Sequence, residues 1–347
     1  MPAFVFLAIQ SHLKLIHCSK TKLAISLSVE LMQSDPGQTR LPTSTTSFRL
    51  HPNLCTMEPP NLADNIGSYF LHKLRIIDHT LDDAELESRC PLDNGRHAFT
   101  PKTSVGQLDL LPVELIDQVL ILLDIPTLTN FRRVNQRAMH LVDSLPPYRR
   151  LWTSCPNVLR AVISIKASSF SCQTLFKTLT QEKCESCDCF GGYLYLISCK
   201  RVCYLCFTSK KEYFPVKRTF AKKHIRSTQK TAVNHLPQIQ SLPGRYTASA
   251  KLSKHRINLV DRQAVLDLNE NSGVFNKIVV DYKSNEPQRF MSIIRAPRLS
   301  FPGMEVEWGS YCVLCRDRTE PSSHFRIQYS SQDILEHLSR HPEIQPR

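Results

Sequence analysis

The sequence predicts an α+β protein that is mostly helical, with a short helical module followed by a mixed α/β region. Apolar residues recur at helical spacing over residues 108–152. Aromatic and β-branched residues concentrate later, in short runs such as Tyr193–Ile197 and Phe275–Tyr282. All pairs of cysteines at Cys-x-x-Cys spacing also follow the helical module. These patterns predict a region of packed helices and then a region of short strands stabilised by bound metal.

Composition limits the class of protein and its partners. The 347 residues are enough for about two domains. A net charge of +13, from 44 Lys and Arg against 31 Asp and Glu, makes acidic proteins and nucleic acids the partners to consider. No run approaches the roughly 18 apolar residues of a membrane-spanning helix, so no membrane association is expected. Thirteen clustered cysteines indicate metal ligation in a reducing compartment, the cytoplasm or the nucleus.

The first hundred residues carry few structural signals. Residues 1–60 are predicted to be a disordered leader, because 34–46 are rich in turn-forming and polar residues. Residues 61–107 are predicted to be a partly helical linker. Within it, Leu62–Ile77 is a helix candidate by its apolar spacing.

The helical module begins at residue 108, and its first helix is unusually apolar. Pro112 suits the first turn of a helix, where its missing N–H costs nothing. Behind it the apolar residues form two adjacent stripes, Leu115, Val119 and Leu122 on one and Ile116, Leu120 and Leu123 on the other. Together they cover a wider arc than the packed face of a surface helix needs.

Two further helices are predicted, at Thr127–Val134 and Gln136–Asp143. Three helices in about 40 residues rarely enclose a sufficient core. The surplus apolar face is therefore expected to contact a partner or another domain. The alternative is an ordinary helical hairpin inside a larger core.

The module resembles an F-box domain. Residues 111–115 (LPVEL) match the opening Leu-Pro-x-Glu-Leu signature, and Trp152 lies where that family often has a closing tryptophan. The resemblance implies a three-helix F-box module that docks onto a Skp-type adaptor and, through it, onto a cullin ubiquitin ligase. The partner-contacting residues that it implies are Leu111, Pro112, Leu115, Ile116, Val119, Leu120, Leu123, Leu128, Phe131 and Val134.

A cysteine-rich region at 153–310 follows, beginning with helices predicted to pack on the module at Val158–Leu179. Its segment 183–207 contains Cys184-x-x-Cys187 and Cys203-x-x-Cys206, separated by fifteen residues. This spacing fits a structural zinc site with four thiolate ligands, which leaves no open position for a water nucleophile. Gly191-Gly192 is expected to supply a turn between the pairs. The alternative is a set of reduced, buried thiols.

Two cysteines, Cys189 and Cys199, fall outside these pairs and are expected to be core thiols or alternative ligands. The cysteine spacing does not fit a RING finger or a fungal binuclear zinc cluster. The sequence therefore gives no support for a chain that recruits the ubiquitin-conjugating enzyme itself.

A basic stretch follows the second cysteine pair. Residues 200–230 contain ten Lys or Arg against one acid, Glu212, with aromatic residues between them. That combination is typical of nucleic-acid contact. We favour a solvated basic helix, because residues 220–224 (FAKKH) suit the exposed face of one. Further on, Leu236–Tyr246 is predicted to be a turn and Leu252–Leu268 a helix.

A second metal site is predicted at 311–342. Cys312-x-x-Cys315 is followed, after twenty-one residues, by His337-x-x-x-His341, whose histidines share one helix face. The segment resembles a Cys-Cys-His-His zinc finger, although the usual gap is about 12 residues. His324 could replace one ligand. The alternative is an amphipathic helix with exposed histidines.

The order of these parts resembles a group of fungal F-box proteins from about Leu108 onward. That resemblance implies a non-catalytic substrate receptor, whose zinc-stabilised C-terminal region selects an unknown target protein. The alternative is a zinc-dependent nucleic-acid-binding or transcription-associated protein, based on the charge and the C-terminal finger. A zinc hydrolase is disfavoured, because the sequence has no His-Glu-x-x-His motif.

Overall fold

The computed structural model describes residues 66–72, 77–83, 85–93, 103–270, 287–300, 305–315 and 324–341. Its helices are α1 (Leu86–Arg89), α2 (Val113–Leu120), α3 (Ile125–Arg132), α4 (Gln136–Ser144), α5 (Pro146–Ser154), α6 (Pro156–Ser164), α7 (Cys172–Thr180), α8 (Tyr204–Ser209), α9 (Arg218–His224), α10 (Arg262–Glu270), α11 (Pro287–Phe290) and α12 (Ser331–Ser339). Its strands are β1 (Phe70–Leu71), β2 (Tyr193–Tyr195), β3 (Lys200–Val202), β4 (Val216–Lys217), β5 (Gln238–Gln240), β6 (Asn258–Val260), β7 (Ile293–Arg295), β8 (Arg298–Leu299), β9 (Val306–Glu307) and β10 (Tyr311–Cys312). The predicted leader and the strand predicted at Phe275–Tyr282 lie outside the described residues.

Helices α2 to α7 are short, and side-chain caps define where several of them begin. Asp124 accepts a hydrogen bond from the Thr127 N–H at 2.9 Å, and Asn135 accepts one from Ala138 at 2.8 Å. Ser171 caps α7 in the same way. Each cap satisfies one of the N–H groups that a helix start leaves without a partner. Helices of eight or nine residues are marginal alone, so packing must supply the rest of their stability.

That packing is continuous from the predicted module into the helices after it. Helix α3 contacts α4 and α6, while α5 contacts α4, α6 and α7. Leu120, Leu128, Leu141 and Leu175 are all 1% exposed or less. The first three helices therefore share their core with α6 and α7.

The strands, most of which follow α7, form small antiparallel sheets. One has the order β3-β2-β7, in which Tyr193 lies opposite Val202 on one side and Arg295 on the other. A second has the order β4-β6-β5. Two-stranded pairs join β1 to β10 and β8 to β9. The predicted α+β class is confirmed, with helices dominating and short strands after them.

The observed helices of the module differ from the predicted ones in three respects. The second helix spans Ile125–Arg132 instead of Thr127–Val134, because Asp124 provides its cap. A fourth helix, Pro146–Ser154, follows and carries Trp152. Pro112 immediately precedes the first helix, with extended backbone at ψ 144°, instead of occupying its first turn.

Tertiary strand pairing overturns three other sequence predictions. The helix predicted at Leu62–Ile77 is wrong at Phe70–Leu71, which pair with β10. The turn predicted at Leu236–Tyr246 contains β5, and the helix predicted at Leu252–Leu268 contains β6 before α10 begins. Pairing to a neighbouring strand outweighs local periodicity in each case. None of the described helices has the length and apolar content needed to cross a membrane.

Candidate docking surface and metal centres

An apolar surface is exposed around helix α2. Eleven large apolar side chains of the described residues are exposed, and six of them lie between residues 110 and 134. The six are Leu110 (83% exposed), Leu111 (41%), Val113 (47%), Leu115 (46%), Leu122 (50%) and Val134 (52%). Such clustering is typical of a protein interaction site, since scattered exposed apolar residues are ordinary.

The two predicted stripes of the first helix have different surroundings. Ile116, Leu120 and Leu123 are between 0% and 4% exposed and belong to the core of the chain. Leu115 and Leu122 are about half exposed, and Val119 is half-buried. Helix α2 is therefore fixed by one stripe while the other faces outward.

The ten predicted partner-contacting residues divide in the same way. The buried ones are Ile116, Leu120, Leu123, Leu128 and Phe131. The accessible ones are Leu111, Pro112, Leu115, Val119 and Val134. Leu110, Val113 and Leu122 are also exposed but were absent from the predicted set. Only for Leu122 did the sequence offer a signal, because it shares a stripe with Leu115.

Backbone and ionic contacts hold this surface in place. The carbonyls of Leu123 and Ile121, just after α2, accept hydrogen bonds from the N–H groups of Cys172 (2.8 Å) and Gln173 (3.0 Å) at the start of α7. Before α2, Asp109 accepts a hydrogen bond from the Val105 N–H and pairs with Arg137 of α4 at 3.1 Å. These interactions also lower the pKa of Asp109. The apolar surface is thus attached to the helical core at both ends of α2.

The first cysteine set converges as its spacing predicts. The sulfurs of Cys184, Cys187, Cys203 and Cys206 all lie within 4.8 Å of one another. The Cys187 and Cys203 sulfurs are 3.6 Å apart. Tetrahedral zinc with Zn–S bonds of about 2.3 Å would place sulfurs about 3.8 Å apart. The four donors therefore fit a closed zinc site.

Short structural elements position these thiols. Cys203 caps helix α8, accepting a hydrogen bond from the Cys206 N–H at 3.4 Å. The Cys184 N–H donates to the Cys189 carbonyl at 2.9 Å, which curls the first pair. Hydrogen bonding from the Cys203 thiol lowers the pKa of Cys184, and the same contact raises the pKa of Cys203.

A buried arginine, Arg201, joins this site to the helices. It is 0% exposed, and its guanidinium donates to the carbonyls of Thr178 (3.1 Å), Leu179 (3.2 Å) and Pro297 (2.6 Å) and to that of Gly191. A Cβ added at Gly191 would lie 2.4 Å from the Arg201 Cγ. Glycine at position 191 therefore allows the Arg201 side chain to pack closely against the backbone. This packing, and not the predicted turn, accounts for the glycine.

The second set also converges. The ligand atoms of Cys312, Cys315, His337 and His341 lie within 4.8 Å of one another. The Cys315 sulfur is 3.3 Å from His337 Nε2 and 3.7 Å from His341 Nε2. Tetrahedral zinc would hold such sulfur and nitrogen atoms about 3.5 Å apart. His324, the alternative ligand, is not in the set, although its ring centroid lies 6.4 Å from that of His337.

The long gap before the histidines is accommodated by strand-like pairing. Ser310 and Tyr329 exchange two backbone hydrogen bonds, of 2.8 and 2.9 Å, which brings α12 back beside β10. Ile334 and Leu338 of α12 are buried against the two cysteines, and the Tyr329 ring stacks on His337 at 4.5 Å. Strand β1, which precedes the helical module in sequence, pairs with β10 and completes this centre.

The remaining two cysteines differ from each other. Cys199 is buried, as expected for a core thiol, and burial raises its pKa to about 12. Cys189 is exposed, which contradicts the core placement. It lines a cavity of about 630 Å³ together with Tyr329, His337 and His341. Cys189 thus lies on the surface beside both ligand sets.

Comparison with known proteins identifies the helical module alone. No curated protein and no solved structure matches the chain. The likeness to fungal F-box proteins in the cysteine-rich region therefore remains a prediction. Residues 108–150 match the family model described as F-box domain. An F-box implies an adaptor role in Skp-type ubiquitin ligases, whose F-box subunits are generally non-catalytic. The chain is thus a protein with an F-box domain at residues 108–150.

Proposed function

We propose that the chain is the substrate-recognition adaptor of a Skp/cullin/F-box ubiquitin ligase, acting in the cytoplasm or nucleus. The observation that carries the proposal is the exposed apolar surface at residues 110–134, inside the segment that matches the F-box family. A partner helix or groove that covered this surface would remove its apolar area from water. The Skp-type adaptor is the partner that the family match implies.

Contact with the adaptor is proposed for the accessible residues. Leu111, Pro112, Leu115, Val119 and Leu122 lie on or next to the outward stripe of α2. The buried stripe supports them without touching the partner. This division separates residues whose substitution should affect binding alone from residues whose substitution should unfold the module.

The cysteine-rich region is proposed to hold the target protein. One zinc ion would be bound there by Cys184, Cys187, Cys203 and Cys206. A second would be bound in the following segment, 311–342, by Cys312, Cys315, His337 and His341. Zinc in such four-ligand sites is structural, because the protein occupies every coordination position. The ligase would then act by proximity, since a tethered target has a high effective concentration near the transferring enzyme.

A pair of matched substitutions tests adaptor binding. Leu115 and Leu335 are 46% and 48% exposed, and each lies on a helix, but only Leu115 belongs to the apolar surface. Leu115→Asp should weaken binding to a purified Skp-type adaptor by about 30-fold or more, as loss of an interface anchor does. Leu335→Asp should leave binding unchanged.

Calorimetry or interferometry with the purified full chain would measure both affinities. Thermal unfolding of each variant checks that folding is intact. Equal affinities for the wild type and Leu115→Asp, or no binding by the wild type, would overturn the proposal.

A further inference from the structure

The positive charge of the chain is concentrated in one segment. Between Glu212 and Asp261 lie 48 residues with ten Lys or Arg and no Asp or Glu. At the average density of 31 acids in 347 residues, about four acids would be expected there. The segment supplies +10 of the net +13, so the rest of the chain is nearly balanced. The ten residues, here called the basic surface, are Lys217, Arg218, Lys222, Lys223, Arg226, Lys230, Arg245, Lys251, Lys254 and Arg256.

Strand pairing brings both halves of this segment to one end of the sheet β4-β6-β5. Lys217 at the end of β4 lies opposite Leu259, and Gln240 at the end of β5 lies opposite Asn258. Helix α9 therefore leaves the sheet at the same end as the loop between β5 and β6. Neighbouring strands are about 4.8 Å apart, so the two exits are separated by about 10 Å. The first half of the basic surface and the second half thus start from the same end of this sheet.

The side chains are accessible, and acids of the described residues do not neutralise them. Eight of the ten are exposed, and Arg218 and Lys222 are half-buried. None forms an ion pair with an acid in the part of the chain that the structure describes.

The acids that border the segment are engaged elsewhere. Glu212 accepts a hydrogen bond from Ser186 at 2.5 Å, beside the first cysteine set. Asp261 is 7% exposed and accepts from the Ala264 N–H at 3.0 Å, at the start of α10. Asp267 of α10 accepts from Gln263 at 2.8 Å. The helix dipole favours Lys222 and Lys223 at the end of α9, but it does not account for Arg218 at its start.

The aromatic residues of the segment are not available for stacking. Tyr213, Phe214 and Tyr246 are between 1% and 4% exposed. Phe220 is half-buried and packs against the apolar core beneath α9. Binding of single-stranded nucleic acid generally uses exposed aromatic rings as well as positive charge. The basic surface therefore offers positive charge without exposed aromatic rings. This favours an acidic polypeptide over single-stranded nucleic acid as its ligand.

We propose that the basic surface is a docking site for an acidic, flexible polypeptide segment, rich in Asp and Glu, in the protein targeted for ubiquitination. Lysines supply point charges, and the four arginines can bind carboxylates in bidentate fashion. The assignment of the segment to a ligase target rests on the proposed function. The charge complementarity itself does not.

A fluorescent peptide of alternating Glu and Gly tests the proposal by polarisation with the full chain. Lys222→Gln, Lys223→Gln and Arg226→Gln together should weaken its binding about tenfold, since each exposed charge contributes modestly. Arg245→Gln, Lys251→Gln and Lys254→Gln should weaken it independently. Lys177→Gln with Lys183→Gln, two exposed lysines outside the segment, should not. Added salt should weaken binding of the wild type.

Three results would overturn the proposal. They are no binding of the acidic peptide by the wild type, binding by both charge-neutralised variants as tight as that by the wild type, or binding of duplex DNA or RNA without binding of the peptide. Adaptor affinity, measured on the same variants, should stay unchanged. Loss of adaptor affinity is expected only in Leu115→Asp. Failure of the basic surface as a docking site can therefore be distinguished from failure of the adaptor role.

Discussion

The helical part (residues 103–180) and the cysteine-rich part (residues 181–341) are stabilised by different means. The helical part has six helices of eight or nine residues, several with side-chain caps, around fully buried leucines such as Leu120 and Leu128. The described strands of the cysteine-rich part have only two or three residues each. It buries three arginines, Arg201, Arg289 and Arg326, at 0%, 1% and 7% exposure, and it contains both ligand sets.

This difference separates the conditions under which each part is stable. Apolar packing and caps need nothing outside the chain. Strands of two or three residues cannot sustain a sheet alone, so the cysteine-rich part depends on cross-links and buried polar contacts. The docking surface should therefore persist under conditions in which the proposed target-binding part is lost.

Metal removal should give the largest effect and test this difference directly. A chelator should lower hydrogen-exchange protection across residues 183–207, 311–315 and 324–341, since structural zinc contributes up to about 10–16 kcal/mol in small domains. Residues 113–180 should retain protection. Cys206→Ser should imitate the chelator for the first site, while Cys189→Ser, at the exposed thiol nearby, should not. Equal loss of protection in both parts would refute the separation.

Loss of the buried guanidinium should have the next largest effect. Arg201→Met leaves four carbonyls without their donor, and about 3–5 kcal/mol of unfolding free energy should be lost. Arg201→Lys should rescue little, because one ammonium group cannot reproduce the planar fork. Arg133→Met, at an exposed arginine of the helical part, should cost well under 1 kcal/mol. Denaturant titration measures all three, and equal costs would contradict the role assigned to Arg201.

A smaller effect should follow from removing a helix cap. Asp124→Ala deletes the acceptor for the Thr127 N–H and hydroxyl, at 2.9 and 2.7 Å, and should cost about 1 kcal/mol. Asp124→Asn keeps an acceptor and should cost only a few tenths of that. If the two variants unfold at the same denaturant concentration, the cap does not stabilise α3.

The smallest effect should be a pH dependence at the start of α12, where Glu307 binds Ser331. Burial raises the pKa of Glu307. Hydrogen bonds from the Ser331 N–H and hydroxyl and from Arg298 together lower it by more, so the pKa lies below its usual 4.5. The folded state thus favours the carboxylate, so this stabilisation is present above pH 4.5 and is lost as pH falls through the folded value. Glu307→Gln should reduce the loss of stability below pH 4.5 relative to wild type. Glu305→Gln, at an exposed neighbour, should behave like wild type.

The features that the sequence could predict are those determined over short distances. Helical periodicity located α2, α3 and α4, and Cys-x-x-Cys spacing located both ligand sets. The exact helix starts depended on caps such as Asp124, which a periodicity argument does not include. The pairing of Phe70 with Cys312 could not be predicted, because nothing local to Phe70 distinguishes a paired strand from a helix.

The candidate docking surface shows the same limit. The sequence predicted two apolar stripes on α2 and an excess of apolar surface. It could not say which stripe faces outward, because that depends on hydrogen bonds from Cys172 and Gln173, about 50 residues later. Only the three-dimensional structure separates Leu115 from Ile116, its neighbour in the chain.

Strand β1 has a consequence for the order in which the protein can be completed. Phe70 and Leu71 are synthesised before the F-box domain, yet they pair with Tyr311 and Cys312 near the other end of the chain. Asp78 likewise waits for Arg326, its ion-pair partner. On the ribosome, the F-box helices can form while Phe70, Leu71 and Asp78 still lack these partners. Native placement of these residues must therefore follow synthesis of Tyr311, Cys312 and Arg326, so the F-box domain can form, and an adaptor can contact it, before the second metal centre is complete.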